Sequence, residues 1–481
     1  MGFANDEVER IATQIDGKIV CAGYSENSSG NSDFAILRYN PDGTLDTTFN
    51  GTGKLLLAIG PGEDYATGLA IQPDGKILVS GISFNGTDDD IAVIRLNADG
   101  SIDSSFGTGG TVRTSVRGWD RGFALALQYD GKIVVAGFVY SLKGSGMVLV
   151  RYNPDGALDA GFGNAGIVED AGDIWDFAAR DLKVQPDGKI VVAGEGFTGA
   201  SSFAVFALAR FLPGGAPDTT FNNNGKIFTQ IGTDFSRAYS LALGENGTIL
   251  VGGSSSNIKE RSSYTTARYR ANGSLDPAFG AGGTVVTPLS NRLDFGRSAL
   301  IQPDGKILLA GHYFESLAAF NNFGVVRYRT NGSVDNVFGS GGLVSVDWDG
   351  GVDGASAIEL QTDGKILVAG TTTDRSFTTR TFAMARLLGD SPVPAAARVD
   401  GQVTNTQGLG LGNARLTFTN LQSGVTRTVS TSPFGYYAVD DLPTGNIYQV
   451  RVSSKRHRFT TPLTFRLLGN INGLTIASNG D

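Results

Sequence analysis

Apolar positions along this chain come in short runs. Gly68 to Gln72 and Lys76 to Ile82 are mostly apolar, and Asp74-Gly75 splits them as a two-residue hairpin signal in which both central residues take positive φ. A third run, Ile91 to Leu96, is followed by a second turn at Asn97 to Gly100, the short pieces Ile102-Asp103 and Phe106, and a last strand-like stretch at Gly110 to Thr114. The pattern predicts four antiparallel strands per unit.

The unit recurs. Its first-turn glycine appears at Gly17, Gly75, Gly131, Gly188, Gly247, Gly305 and Gly364, at steps of 58, 56, 57, 59, 58 and 59 residues. The third run recurs as Phe34 to Tyr39, Met147 to Tyr152, Phe206 to Phe211, Thr265 to Tyr269, Phe323 to Tyr328 and Phe382 to Leu387. Seven such units predict an all-β fold with a seven-bladed β-propeller over residues 1–390, since closing the ring hides most sheet edges. An open solenoid would need capping copies of different composition, and the first and last copies here keep the same internal turn. The fourth strand starts after Gly53, Gly110, Gly166, Gly225, Gly283 and Gly342, six times against seven, which predicts one imperfect blade at the seam. Val393 to Val399, or residues upstream of Met1, are the segments that would complete it.

After the repeats the pattern changes. Residues 391–397 read as a Pro/Ala linker, and 398–481 alternate apolar and polar positions in Ala414 to Thr419, Thr426 to Ser430, Tyr436 to Val439 and Tyr448 to Val452. This spacing predicts a small β-sandwich of about seven strands.

Composition narrows the function classes. Glycine is 68 of 481 residues, about twice the usual share, which suits many short strands and tight turns. A net charge of -8 with no dense basic patch beyond Lys455 to Arg458 argues against nucleic acid. Cys21 is the lone cysteine and reads as a small core residue, so there is no intrachain disulfide and no cysteine metal cluster. No apolar run approaches the ~20 residues of a membrane helix, so membrane insertion is not expected. The start, Met1-Gly2-Phe3 before Asn5, Asp6 and Glu7, is not a signal peptide, so export implies a signal outside this numbering.

Candidate chemistry is sparse. His312 and His457 are the only histidines and lie in different domains, which disfavours a histidine triad or a histidine zinc site. Asp88-Asp89-Asp90 reads as a solvated turn, and Asp42 to Asp46 lacks a full calcium-loop pattern. One arginine recurs in all seven copies: Arg38, Arg95, Arg151, Arg210, Arg268, Arg327 and Arg386. Except for Arg386, each precedes an aspartate by eight residues (Asp46, Asp103, Asp159, Asp218, Asp276 and Asp335), which predicts a structural latch that fixes turn register. Asp6, Asp64, Asp120, Asp176, Asp234, Asp294 and Asp353 precede the turn glycines by 11, 11, 11, 12, 13, 11 and 11 residues. If their strand is innermost they ring the channel mouth and attract a cation or a cationic ligand group, calcium being the candidate ion; otherwise they accept backbone N–H groups in the turn. The second reading is preferred, because Trp119, Trp175 and Trp348 beside this position suggest packing between blades. No other cofactor is implied.

The phrases Gln302 to Leu308, Phe34 to Gly43 and Leu45 to Phe49 resemble the delta-sixty repeat of bacterial surface proteins, over residues 1–390. That resemblance implies a propeller and export, and no settled activity. The fifth copy departs with Asn246-Gly247-Thr248 for Asp-Gly-Lys, and the fourth has Gly214-Gly215 and Pro217 in its second turn. Asp400 to Val403, Asn413 to Leu416, Phe434 to Tyr437 and Leu442 to Gly445 resemble, in order, the carboxypeptidase regulatory-like, transthyretin-like module, with Ser432-Pro433 where Thr-Asp is usual. This implies a non-catalytic spacer or adhesion domain.

The function expected is that of an extracellular or cell-surface, non-catalytic binding or scaffold protein, a monomer whose partner is a surface glycan or a protein. The rival is a carboxylate-dependent glycosidase or lyase acting on polysaccharide. A catalytic site should break the seven-fold symmetry with convergent polar residues, and none is legible in the variable loops.

Overall fold

The computed structural model describes residues 5–141, 144–172, 177–198, 203–258, 261–315, 320–348, 350–374, 379–389, 396–444, 446–467 and 471–479. Seven consecutive antiparallel sheets form the blades of a propeller. The first comprises Asp6–Thr13, Ile19–Glu26, Ser32–Tyr39 and Lys54–Leu57, and the second Asp64–Ile71, Ile77–Phe84, Asp89–Leu96 and Thr111–Thr114. Strand one of each blade lies beside strand one of both neighbours, so these strands form the inner wall of the ring.

This placement accounts for the hydropathy pattern. Ile77–Phe84 and Asp89–Leu96 are buried along nearly their whole length, because blades stack on both faces of the middle strands. Asp64–Ile71 instead alternates buried and half-buried positions, one side meeting its blade and the other the channel. The polar start of this strand explains why its apolar run, read from Gly68, begins four residues late.

The turns correct the hairpin assignment. Asp74 keeps negative φ and only Gly75 is positive, at +86°. The Gly75 N–H donates to the Gln72 carbonyl at 2.9 Å, giving a type I turn with Pro73 at its second position, followed by a left-handed glycine. The departing fifth copy differs: Asn246 and Gly247 both have positive φ, 55° and 72°.

Among the described residues the last blade has three strands. Asp353–Leu360, Ile366–Thr373 and Arg380–Leu387 form a three-stranded sheet. Across the seam, Val8, Ile11 and Cys21 share a core with Ala357, Leu367 and Ala369, and Asn5 bridges Arg380. Burial pushes the Cys21 thiol up to about 12. Residues 390–395 lie outside the described residues, and Ala396–Thr404 pairs with Tyr436–Pro443 and Ile471–Ala477, so Val399 belongs to the second domain. Ala396 and Ala397, read as linker, open this strand. The second domain packs that three-stranded sheet on a four-stranded one around Val399, Leu416, Phe418, Val450 and Leu474. Thr475 donates its N–H to the Pro186 carbonyl, and Phe465 meets the Tyr129 ring edge-on, seating the domain on the first-turn side of the ring.

Candidate functional site: the axial channel

The repeated residues build the outer frame. Arg38, Arg95, Arg151, Arg210, Arg268 and Arg327 each donate Nε–H to the aspartate eight residues on, at 2.6–2.9 Å. Each guanidinium lies over the phenylalanine of the following turn, 4.3–4.8 Å from the ring centre. Five of them also donate to a carbonyl of the next blade: Ala98, Pro154, Pro213, Ala271 and Thr330. The arginine thus ties neighbouring blades together as well as holding its own turn. Lys18, Lys76, Lys132 and Lys189, from the Asp-Gly-Lys phrase, join the same aspartates in the first four blades. Gly100 completes a junction, since a side chain there would come within 2.6 Å of the Phe49 ring. Arg386 has no aspartate eight residues on, and its guanidinium faces Gly43 across the seam. Burial pushes Asp46 and Asp103 upward, but hydrogen bonds from Thr48, Lys18 and Arg38, and from Lys76, Ser105 and Arg95, hold them well below the usual carboxylate range.

Asp6, Asp64, Asp120 and Asp353 lie at the start of the innermost strand and Asp294 directly before it, and their carboxylates accept local hydrogen bonds. Asp64 accepts N–H bonds from Ile59 and Gly60, Asp120 from Val116 and Arg117, Asp294 from Leu289 and Ser290, and Asp353 from Trp348. Asp6 accepts from the Ser25 hydroxyl. Asp234 stands two residues outside this position, which Ser236 fills, buried opposite Ser255. Asp176 and Trp175 lie outside the described residues, and Phe177 pairs at the equivalent register. Burial raises the pKa of Asp64, Asp120 and Asp294 despite their backbone bonds. Among the described residues no three His, Cys, Asp or Glu side chains are placed to hold a metal ion. Trp348 packs edge-on against Phe323, whereas Trp119 is 42 % exposed. Asp89 and Asp90, read as a solvated turn, are buried and ion-paired with Arg121 and Arg113.

The channel wall is made by a position that the sequence reading passed over. Each inner strand carries a register shift at the same place, and the residue at the shift is Glu9, Thr67, Phe123, Arg180, Tyr239, Arg297 or Ser356. All seven are half-buried and line one cavity of about 650 Å³ on the ring axis. A β-bulge re-aims the side chain of the extra residue, which turns these seven toward the axis. Each precedes its turn glycine by eight residues. They form a convergent set that breaks the seven-fold symmetry, in the inner strands and not in the loops. The available signal was a column of constant spacing and changing identity.

Charge in the channel is uneven. The Arg297 guanidinium lies 4.4 Å from the Tyr239 ring centre, and among the described residues it forms no ion pair or hydrogen bond. Arg180 lies 4.5 Å from the Phe123 ring centre and bonds Glu195, while its Nε is buried with no hydrogen-bond partner among the described residues. Glu7 pairs with Arg380 and accepts from the Tyr24 hydroxyl. Burial raises the pKa of Glu9, with Arg10, Arg297 and Arg180 opposing. Burial, helped by the Arg297 charge, pushes His312 down to about 3, so it is neutral at ordinary pH. A second cavity, of about 590 Å³, opens between the third and fourth blades and shares Phe123 and Arg180 with the channel. Its rings are Trp119, Phe123, Phe138, Tyr140, Phe177 and Phe197, with Arg121, Arg237 and Glu195 beside them.

No match to a curated protein was found. Among solved structures, the polysaccharide lyase Uly1 is 11% identical over 80% of this chain and 90% of its own, with a TM-score of 0.43. Sqt1 from Chaetomium thermophilum is 14% identical over 76% of this chain and 93% of its own, with a TM-score of 0.40. Regucalcin from Agrobacterium tumefaciens is 15% identical over 67% and 90%, with a TM-score of 0.34. At these values none of them bears on ligand or activity. The carboxypeptidase regulatory-like domain matches residues 398–476. The model described as domain of unknown function (DUF5122) beta-propeller matches 14–49, 72–106, 128–162, 185–221, 245–279, 302–338 and 361–391, and with all seven repeats matched, the chain belongs to this β-propeller family.

Proposed function

We propose that the protein is an exported or cell-surface, non-catalytic binding protein, a monomer whose ligand occupies the axial channel. The observation that supports this reading is the wall itself. Seven structurally equivalent positions carry Glu9, Thr67, Phe123, Arg180, Tyr239, Arg297 and Ser356, so the ring presents an asymmetric surface on a symmetric, latched frame. A concave site with a few convergent polar groups on rigid strands is the usual form of a binding site. The second domain acts as spacer or attachment, and the partner is a surface glycan or protein.

A second reading, a carboxylate-dependent enzyme on polysaccharide, draws support from Glu9 alone, whose pKa burial raises in the direction a general acid needs. One comparison separates the two. The intact chain is offered glycan and extracellular-protein arrays and, in parallel, a polysaccharide turnover screen. Binding that Arg297→Ala abolishes, without turnover, supports the first reading. Turnover abolished by Glu9→Gln supports the second.

A further inference from the structure

Two cavities that share a wall specify more than a binding channel. The axial cavity offers Arg297 over the Tyr239 ring and Arg180 over the Phe123 ring, with Arg180 giving one edge to Glu195 and keeping its Nε without a hydrogen-bond partner among the described residues. A guanidinium held on an aromatic face keeps its N–H edges available and matches the two oxygens of a carboxylate or sulfate. The adjoining cavity is ringed by aromatic side chains, with Ala178 the sole aliphatic group among its lining residues. Trp119 and Tyr140 stand opposite each other on adjacent strands and are 42% and 40% exposed. Flat, solvent-facing rings edged by arginine and glutamate suit a ligand with flat C–H faces and a rim of hydroxyls, which is the chemistry of a pyranose. Branched aliphatic side chains of a peptide would call for an aliphatic pocket.

We infer that the channel and the aromatic cavity form one continuous site for an acidic oligosaccharide, with its carboxylate or sulfate at Arg297 and Arg180 and a neighbouring sugar against Trp119 and Tyr140. The inference rests on the channel being the binding site. Each cavity falls within the ~300–1,000 Å³ typical of small-molecule sites, and the shared Phe123 and Arg180 let one short oligomer span both. The overall charge of -8 does not oppose this at contact range, because charges beyond about 8 Å are screened at physiological salt. Locally, Glu7 is paired with Arg380, and burial favours the neutral form of Glu9.

The test uses the full chain on an array of uronate-, sialate- and sulfate-bearing oligosaccharides together with their neutral parents, followed by calorimetry on the best ligand. Binding is expected for acidic members only, with Trp119 emission shifting on saturation. Arg297→Ala and Trp119→Ala should each weaken binding about tenfold or more, with Arg297→Lys in between. Equal binding of neutral parents, or no binding of any acidic member, overturns the acidic-saccharide assignment. Neutral-glycan or protein binding that Arg297→Ala removes would leave the channel as the site while overturning its ligand class. Acidic-glycan binding indifferent to both Ala substitutions overturns the channel as well.

Discussion

At the outer frame the same arginine, aspartate and phenylalanine stand in blade after blade, while on the channel wall the equivalent position changes from Glu9 to Thr67 to Phe123 around the ring. The frame residues meet one another: Arg95 holds Asp103, covers Phe106 and reaches Pro154 of the next blade. The wall residues meet the channel and touch their neighbours more lightly: Thr67 donates its hydroxyl to the Gly122 carbonyl of the next blade, and Arg180 and Arg297 lie over Phe123 and Tyr239. In this molecule repetition marks what holds the ring, and variation marks what the ring presents.

The frame should therefore fail by unfolding. Arg95→Ala is expected to destabilise the protein by about 1–3 kcal/mol in chemical denaturation, because Lys76 and Ser105 still satisfy Asp103 and its charge is not stranded. A variant as stable as wild type but defective in binding would erase the distinction between frame and wall. The wall should fail by losing ligand: Arg297→Ala is expected to weaken binding about tenfold, roughly 1.4 kcal/mol, with the melting temperature preserved. A large fall in melting temperature would make Arg297 a frame residue.

Acid titration separates further positions by sign. Asp103 has a depressed pKa, so its contribution is present above the unfolded value near 4 and is lost as pH falls through the lower folded value. Asp120 has a raised pKa, so the folded state holds the extra proton just above pH 4 and stability there falls as pH rises. Asp103→Asn should flatten the rise of stability with pH, and Asp120→Asn should steepen it. Changes of the same sign in both variants would contradict these environments. His312, at about 3 when folded, acts over a wider window: the unfolded chain binds the extra proton between about pH 3 and 6.5, so stability falls with acid across that range. His312→Gln should reduce that slope, and an unchanged slope would mean that the imidazole is not buried neutral.

The fold was largely legible because it is written in identity. Asp-Gly turns, apolar middle strands and the eight-residue arginine–aspartate spacing repeat, so the blade, the ring and the six ion pairs can be read by matching phrases. Finer conformation was less legible. Asp74-Gly75 resembles a type I′ pair, yet Pro73 sets a type I turn, and only the Asn246-Gly247 copy has two positive φ values. The site was hidden for the opposite reason. Arg180 and Arg297 share a column with Phe123 and Ser356, and a search for recurring residue types passes over such a column. The bulge that turns them inward is a backbone property that no one residue type announces. The strand-start aspartates were legible in their preferred role, since Asp64, Asp120, Asp294 and Asp353 accept loop N–H groups, but Asp234 was aligned to a position that Ser236 occupies.

The most direct measurement takes the wall away and leaves the frame. A triple variant, Arg180→Ser, Tyr239→Ser and Arg297→Ser, places at three bulges the residue that Ser356 already supplies at a fourth. Its β-sheet circular dichroism and cooperative thermal unfolding should match wild type while array binding disappears. A variant that unfolds, or one that folds and binds every wild-type ligand, would contradict the assignment of the channel wall.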